Sequence, residues 1–525
     1  MKYYLKKYRG LYFCVALFSV IEAGLMSYFA LRLGGLIDLT NKKGDQIIKG
    51  VLICALIIVC DFVASSLLSF FKSRYAFSVI KDVKTKIYCG INRREMDEFK
   101  SETNEHYLNV LTKNIDILHD NYLIPRCDIF SYATSAIVSI ATIILIDWKL
   151  ALSFMMVSGL TIVLSQLPGR LMAKKTTEYS EKSKAYLSVI NNHLRGFEEI
   201  KLLRVFDLFY KDYCAEDYRF EKSRESYYTT KYIAGAFGMF FSFLSMILCM
   251  SLGIYFVVKG NITVGLLIAA VQLLNGVFSP IQAFVQNKNL IGTVENIVKE
   301  IDSLITGEQE EKLKFDESIE KITFDQVSLG FDQKDDLIRN ADYVFEKGKK
   351  YAIMGESGCG KSTLMKLLMK YYGREAYRGD IYINKTNLNQ ISSDDIYRRI
   401  AYIERNEFYI PGSVKENILL RRSEGNLNHS ICSRLKLTEE FLEKNLASGA
   451  EHKASMGEKQ RIDIARFFVE DYDVYIFDEP TSNLDYDTSR MIFDFIFSIQ
   501  DKTVIVITHD PEEELLSHFD EVVCL

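Results

Sequence analysis

What this 525-residue sequence lacks narrows it first. Its ten cysteines form no C-x-x-C pair and several sit inside apolar runs. They read as small buried hydrophobes, not as a disulfide or zinc framework. No charge of one sign dominates: 64 basic residues face 69 acidic ones, a net of -5. That leaves no global field to draw a nucleic acid. No internal repeat or low-complexity tract stands out. The apolar stretch behind the basic first ten residues is too long for a signal-peptide core and is followed by no A-x-A-like cleavage site. It reads as a retained membrane helix.

What is present is unevenly spread. The first 285 residues hold six nearly uncharged segments, 11–31, 50–71, 131–146, 150–167, 233–258 and 262–284. Each is a candidate to cross a ~30 Å hydrocarbon core, the third and fourth being the shortest. Those two meet at Asp147-Trp148-Lys149, a tight hairpin. Connections after the first, third and fifth segments are short. Those after the second and fourth, 72–126 and 169–232, are long, charged and helix-like. Lys2, Lys6, Lys7 and Arg9 precede the first segment. Lys72, Arg74, Lys81, Lys84 and Lys86 follow the second, and Arg170, Lys174 and Lys175 follow the fourth. By the positive-inside rule both termini and both long connections belong in the cytoplasm. Glu22 and Asp61 lie inside spans, where an ionised carboxylate is costly. They either contact a substrate or proton, or sit near the interface paired with Arg32 or a backbone group. Phe237, Phe240, Phe241 and Phe243, at helical spacing, line a hydrophobic pocket or, more commonly for such spacing, face lipid or core. Residues 299–315 are charged, carry Gly307 and read as a helix end and linker.

From residue 319 short β-rich runs alternate with helices. Gly355-Glu356-Ser357-Gly358-Cys359-Gly360-Lys361-Ser362-Thr363 matches G-x-x-x-x-G-K-[ST]. A short apolar strand, 350–354, precedes it, and the spacing predicts an amphipathic helix from Leu364. Glycines let backbone N–H groups close on phosphate oxygens, and a helix N-terminus adds partial positive charge. Lys361 reaches β/γ-phosphates and Ser362 offers a hydroxyl to Mg²⁺. Downstream, 473–479 is an apolar strand ending in two acids. Asp478 suits a Mg²⁺ held through water, and Glu479 suits polarising the water that attacks the γ-phosphate of ATP. A third strand, 503–508, delivers His509 as a γ-phosphate sensor.

These pieces, in this order, resemble an ATP-binding-cassette (ABC) exporter half-transporter over nearly the whole length. Asp147-Trp148-Lys149-Leu150 and Gly260-Asn261-Ile262-Thr263-Val264-Gly265 resemble stretches of that family's membrane domain. The expected organisation is an all-α six-helix transmembrane domain with long cytoplasmic helical extensions over 1–305. A linker over 306–318 and an α/β P-loop NTPase domain over 319–525 follow. The resemblance implies coupling helices near 97–107 and 205–209, and adenine stacking on Phe331. It also implies a signature motif at Ser455 and Gly457, followed by Gln460 and Arg461, and a loop at Ser482-Asn483-Leu484-Asp485. His509 matches the switch histidine.

Three positions depart from the family pattern. The signature reads Ala454-Ser455-Met456-Gly457-Glu458, with Ala, Met and Glu where Leu, Gly and Gln are usual. Arg405 stands where a Gln is expected and, lacking an acceptor, cannot ligate Mg²⁺. The helical segment before the signature is short.

Because the family sandwiches ATP between one chain's phosphate loop and another's signature, a dimer is implied. It is either a homodimer or an asymmetric heterodimer with a second half-transporter. The function expected is ATP-driven export of a peptide, lipid or hydrophobic small molecule from a bacterial plasma membrane. A nucleotide-gated regulatory or sensing subunit is the alternative. The fused halves, with no external binding module and no protease domain before Leu11, argue against an importer and against a peptide-cleaving exporter.

Overall fold

A computed structural model of the chain describes residues 2–39, 44–165, 167–306, 313–330, 337–356, 358–405, 408–446, 454–509 and 513–525. It divides into two compact units, Met1–Cys89 with Leu108–Ile305, and Gly90–Tyr107 with Thr306–Leu525. The expected nucleotide domain thus gains an eighteen-residue piece, 90–107, from the first long connection. All ten cysteines are free.

The first unit is helical. Among the described residues, five stretches are long and apolar enough to cross a membrane: Arg9–Ile37, Asp45–Ile91, Asn104–Ile146, Phe206–Val258 and Val264–Thr293. The remaining apolar segment, the fourth, forms the helix Trp148–Ser165, 18 residues, about 27 Å long at 1.5 Å per residue. The third span begins earlier than its apolar run suggests, at Ile124. Pro125 follows directly on a π-helical turn, His119–Leu123, where the regular hydrogen-bond ladder is already shifted.

Two short connections owe their form to single acids. Asp147 leaves the helix with extended backbone, and its Oδ1 accepts the Leu150 N–H at 2.8 Å. One residue ends one span and caps the next. Asp38, at the end of the first span, accepts from the Gly265 N–H at 2.9 Å and the Thr263 hydroxyl at 2.6 Å. It thereby caps the last span from a distance in sequence. Close approach makes this possible: a Cβ on Gly34 would overlap the Gly265 carbonyl oxygen, and one on Gly265 would overlap that of Gly34.

The second long connection is two helices, Gly169–Arg195 and the first part of Phe206–Val258, zipped by aromatic rings. Tyr186 stacks on Phe220 at 4.8 Å and Tyr179 on Tyr227 at 5.1 Å. Between them lies a short helix, Phe197–Leu202. Residues 205–209, the expected coupling segment, are the turn and opening residues of the long helix that follows.

The second unit holds two sheets. β1 (Lys321–Leu329), β2 (Ile338–Glu346), β4 (Tyr377–Ile383) and β5 (Thr386–Asn387) make an antiparallel sheet ordered β2-β1-β4-β5. β3 (Lys350–Met354), β6 (Ile400–Ile403), β7 (Val474–Asp478), β8 (Thr503–Ile507) and β9 (Glu521–Cys524) form a parallel sheet ordered β6-β7-β8-β3-β9. The parallel strands are near-continuous apolar runs because both faces are covered. Ile353, Ile476, Ile505 and Ile507 bury against one core, and Ala352, Phe477, Val504 and Val506 against the other. The linker is grouped with this unit from Thr306, and the Phe315 N–H donates to Asp395 Oδ2 at 3.1 Å.

Candidate nucleotide site

Three strand ends deliver the site. β3 runs into the glycine loop, β7 ends on Asp478, and β8 lies beside β7 with Asp478 level with Ile507. This is the carboxyl edge of an open parallel sheet, where ligands of such folds bind. The loop demands glycine for two separate reasons. Gly360 sits at φ 105, and a Cβ there would also press on Ile338 at 2.8 Å. Gly355, at φ 154, leaves no room beside the Leu525 carbonyl and the Cys359 sulfur. Gly360 turns the chain so sharply that the helix begins at Lys361 and runs to Leu368, three residues earlier than the sequence pattern predicts. Lys361 and Ser362 therefore stand in its first turn, beside its free N–H groups.

The side chains converge. Lys361, 4% exposed, donates from Nζ to the carbonyls of Gly355 and Glu356, both at 2.8 Å, and lies 3.2 Å from His509 Nδ1. Ser362 Oγ donates to Asp478 Oδ1 at 2.7 Å. Glu479 has left-handed backbone, φ 48, which swings its carboxylate out of the strand to pair with His509 Nε2. Its N–H remains tied to the Ile507 carbonyl at 3.0 Å. Asn483, at φ 57, shapes the loop after it, and Asp485 caps the next helix through the Thr488 N–H at 2.9 Å. The Thr488 contacts hold the Asp485 carboxyl below its ordinary range.

One partner escaped the sequence reading. Tyr402, on β6 and 6% exposed, donates its hydroxyl to Asp478 Oδ2. Burial first, and then the Asp478 charge, push its phenol far above the ordinary value. A polar-tipped aromatic closing a strand beside the acidic one was the only available signal.

Ser455 and Gly457 belong to a separate set of contacts. The Ser455 hydroxyl accepts the Glu458 N–H at 3.2 Å and Glu458 Oε2 accepts the Ser455 N–H at 2.7 Å, a reciprocal cap on the helix Met456–Phe467. Arg461 donates back to the Gly457, Leu435 and Lys436 carbonyls, its pKa lowered by burial. Met456 is exposed. Phe331 and Ser357 lie outside the described residues.

The donor set suits Mg²⁺. Ser362 and Asp478 offer hard oxygens, and Mg²⁺ is commonly held by one or two carboxylates plus substrate phosphates and water. No group of three or more His, Cys, Asp or Glu that could hold a metal by itself occurs among the described residues.

A glycine loop after β3, a buried lysine and an Asp-Glu pair at the end of β7 in the same parallel sheet define a P-loop nucleoside-triphosphatase, here in one chain with membrane-length helices. The chain belongs to the ABC transporter family: the ABC transporter transmembrane region matches residues 12–281 and the ABC transporter domain residues 338–482. It is an ATP-binding, multi-pass membrane protein of a family whose ATPase activity is coupled to transport. It is 24% identical over 539 residues to the uncharacterized ABC transporter ATP-binding protein YwjA of Bacillus subtilis (strain 168), covering 96% of this chain and 90% of that one. The lactococcin-G-processing and transport ATP-binding protein LagD of Lactococcus lactis subsp. lactis is 28% identical over 349 residues, covering 64% of this chain and 49% of LagD. Among solved structures, a bacterial Atm1-family ABC exporter with ATP bound matches 97% of this chain and 93% of its own at a TM-score of 0.80 and 16% identity. That match shows the exporter fold.

Proposed function

We propose that this chain is one half of an ATP-driven exporter, with both termini and the nucleotide unit in the cytoplasm of a bacterial plasma membrane. Its cargo is a peptide, a lipid or a hydrophobic small molecule. The observation that carries the reading is the convergence of Lys361, Ser362, Asp478, Glu479 and His509 on one sheet edge.

In the proposed cycle Lys361 trades the Gly355 and Glu356 carbonyls for β/γ-phosphate oxygens. Residues 355–363 cradle those phosphates with backbone N–H groups, and Phe331 stacks on adenine. Ser362 and Asp478 hold Mg²⁺, which supplies neutralisation of the developing phosphate charge. Glu479 orients the attacking water, and His509, already paired with it, senses the γ-phosphate. ATP biases the cycle only by binding the closed pair of nucleotide units more tightly than the open one. Ser455 and Gly457, as in the family pattern, serve the partner's ATP.

An asymmetric heterodimer is favoured over a homodimer by one observation. The Glu458 carboxylate already accepts the N–H of Ser455, the cap of the signature helix, so an incoming phosphate would meet like charge there. A partner with a Gln there supplies the better signature for this chain's phosphate loop. The exposed apolar residues Leu194, Phe197, Leu202, Leu203, Phe206 and Leu208 around the short helix support a docking role for that tip.

Inside-out vesicles from the protein's own cells, in which any second half-transporter is present, offered a fluorescent phospholipid, a cationic dye and a peptide panel, test export. ATP-dependent accumulation that Glu479→Gln abolishes supports it. ATP binding with no accumulation of any probe identifies a nucleotide-gated regulator instead. Brisk Glu479-dependent hydrolysis by the chain purified alone excludes the asymmetric heterodimer.

A further inference from the structure

The second unit includes residues 90–107, a segment of the first long connection, and it is fastened at two points. Ser393 donates its hydroxyl to Glu95. Lys100, the last residue of the helix Met96–Lys100, places its ammonium 3.9 Å above the Tyr371 ring centroid. This is close for a cation–π contact, whose limit is about 6 Å.

From Lys100 the packing runs inward without a gap. The Tyr371 and Tyr402 rings pack at 6.2 Å with planes 59° apart. Lys366 lies 5.8 Å over each of those rings and is ion-paired to Glu404 at 2.7 Å. Tyr402 then reaches the Asp478 carboxylate with its hydroxyl. Asp478 is thus held on both oxygens, by Ser362 on one and Tyr402 on the other. A carboxylate with one free oxygen rotates about its terminal bond; one with both oxygens held is fixed in plane. The two donors differ, because Ser362 stands in the phosphate-loop helix while Tyr402 leans on a ring touched by another segment of the chain.

We propose that Tyr402 is a positioning residue for Asp478, and that Lys100, through the Tyr371 ring, sets the orientation of Tyr402. The metal-facing carboxylate thereby registers whether the 95–100 segment is seated. The inference rests on the reading of Ser362 and Asp478 as the Mg²⁺ pair, and the experiment separates the two.

Mn²⁺ titrated into the full-length protein with bound ATP, followed by electron paramagnetic resonance, reports metal affinity independently of turnover. Loss of a residue that orients a metal ligand typically weakens metal binding by about 10- to 100-fold. Tyr402→Phe removes only the hydroxyl and is expected to raise the Mn²⁺ Kd by about 10-fold. ATP binding in EDTA and the melting temperature should stay unchanged. Lys100→Met is expected to raise the Kd by about 3-fold in the natural background, a change of ~0.65 kcal/mol, and not at all on top of Tyr402→Phe. An unchanged Mn²⁺ affinity in Tyr402→Phe overturns the positioning role. Equal Lys100→Met effects in both backgrounds overturn the link to the 95–100 segment. Should Asp478→Asn leave Mn²⁺ affinity untouched, the metal-site reading itself fails, and Tyr402 is then not at issue.

Discussion

The nucleotide unit and two of the membrane spans, the first and the fifth, bury different kinds of side chain. In the nucleotide unit the fully buried residues include Phe324, Phe345, Tyr351 and Phe477. In the first span the buried stripe is Val15, Ser19, Ala23, Ser27, Ala30 and Gly34. The long fifth span buries Ser223, Ser245, Cys249 and Gly253, while Phe240 and Phe243 are 60% and 66% exposed. Phe237 and Phe241 pack on each other at 5.0 Å along the same helix. Water drives large apolar groups inward in one unit. Lipid is as apolar as leucine, so along those two spans small side chains that let backbones approach closely favour helix contact.

Four measurements test that contrast, and the first also fixes the scale of the chemistry. Glu479→Gln is expected to lower kcat for ATP hydrolysis by about 100- to 10,000-fold with ATP binding retained; no single residue of the membrane unit should match it. Next, Phe477→Ala should cost about 3–5 kcal/mol of stability, whereas Phe240→Ala should fall within about 0.5 kcal/mol, as read by calorimetry of the full chain in detergent. Equal losses would break the comparison. Third, Gly34→Leu should destabilise the first unit by about 1–3 kcal/mol despite adding apolar surface, because it pries the first span from the last. A stabilised protein would show that the Gly34–Gly265 approach does not hold these helices. The smallest effect belongs to Glu458→Gln. Removing that charge from a helix N-terminus worth about 0.3–1 kcal/mol should raise ATP-dependent dimer formation about 2- to 5-fold, measured by light scattering of the Glu479→Gln protein.

The legible parts of the site were those read from strict local spacing. The phosphate loop, Asp478, Glu479 and His509 each sit at a strand end, where a short apolar run followed by a polar residue fixes both position and direction. Gly360 moved the helix start to Lys361 because a left-handed turn leaves the next residue already helical. Tyr402 was invisible, since its partner is 76 residues away in sequence and only strand pairing of β6 with β7 makes them neighbours. Lys100 was equally hidden: nothing in a charged connection says which aromatic ring it will meet.

By itself the sequence marked the segments apolar enough to cross a membrane, the ATP-binding domain and the residues proposed to react there. Hydropathy and loop chemistry are local properties, carried within a dozen residues. The tertiary structure alone decided that a stripe of Ser, Ala and Gly is the inner face of the first span. It alone decided that Asp38 caps a helix starting at residue 264, and that a piece of the first long connection belongs with the nucleotide unit. Those outcomes are set by which surfaces come within contact distance once the chain has closed its loops, and no window of sequence encodes that distance.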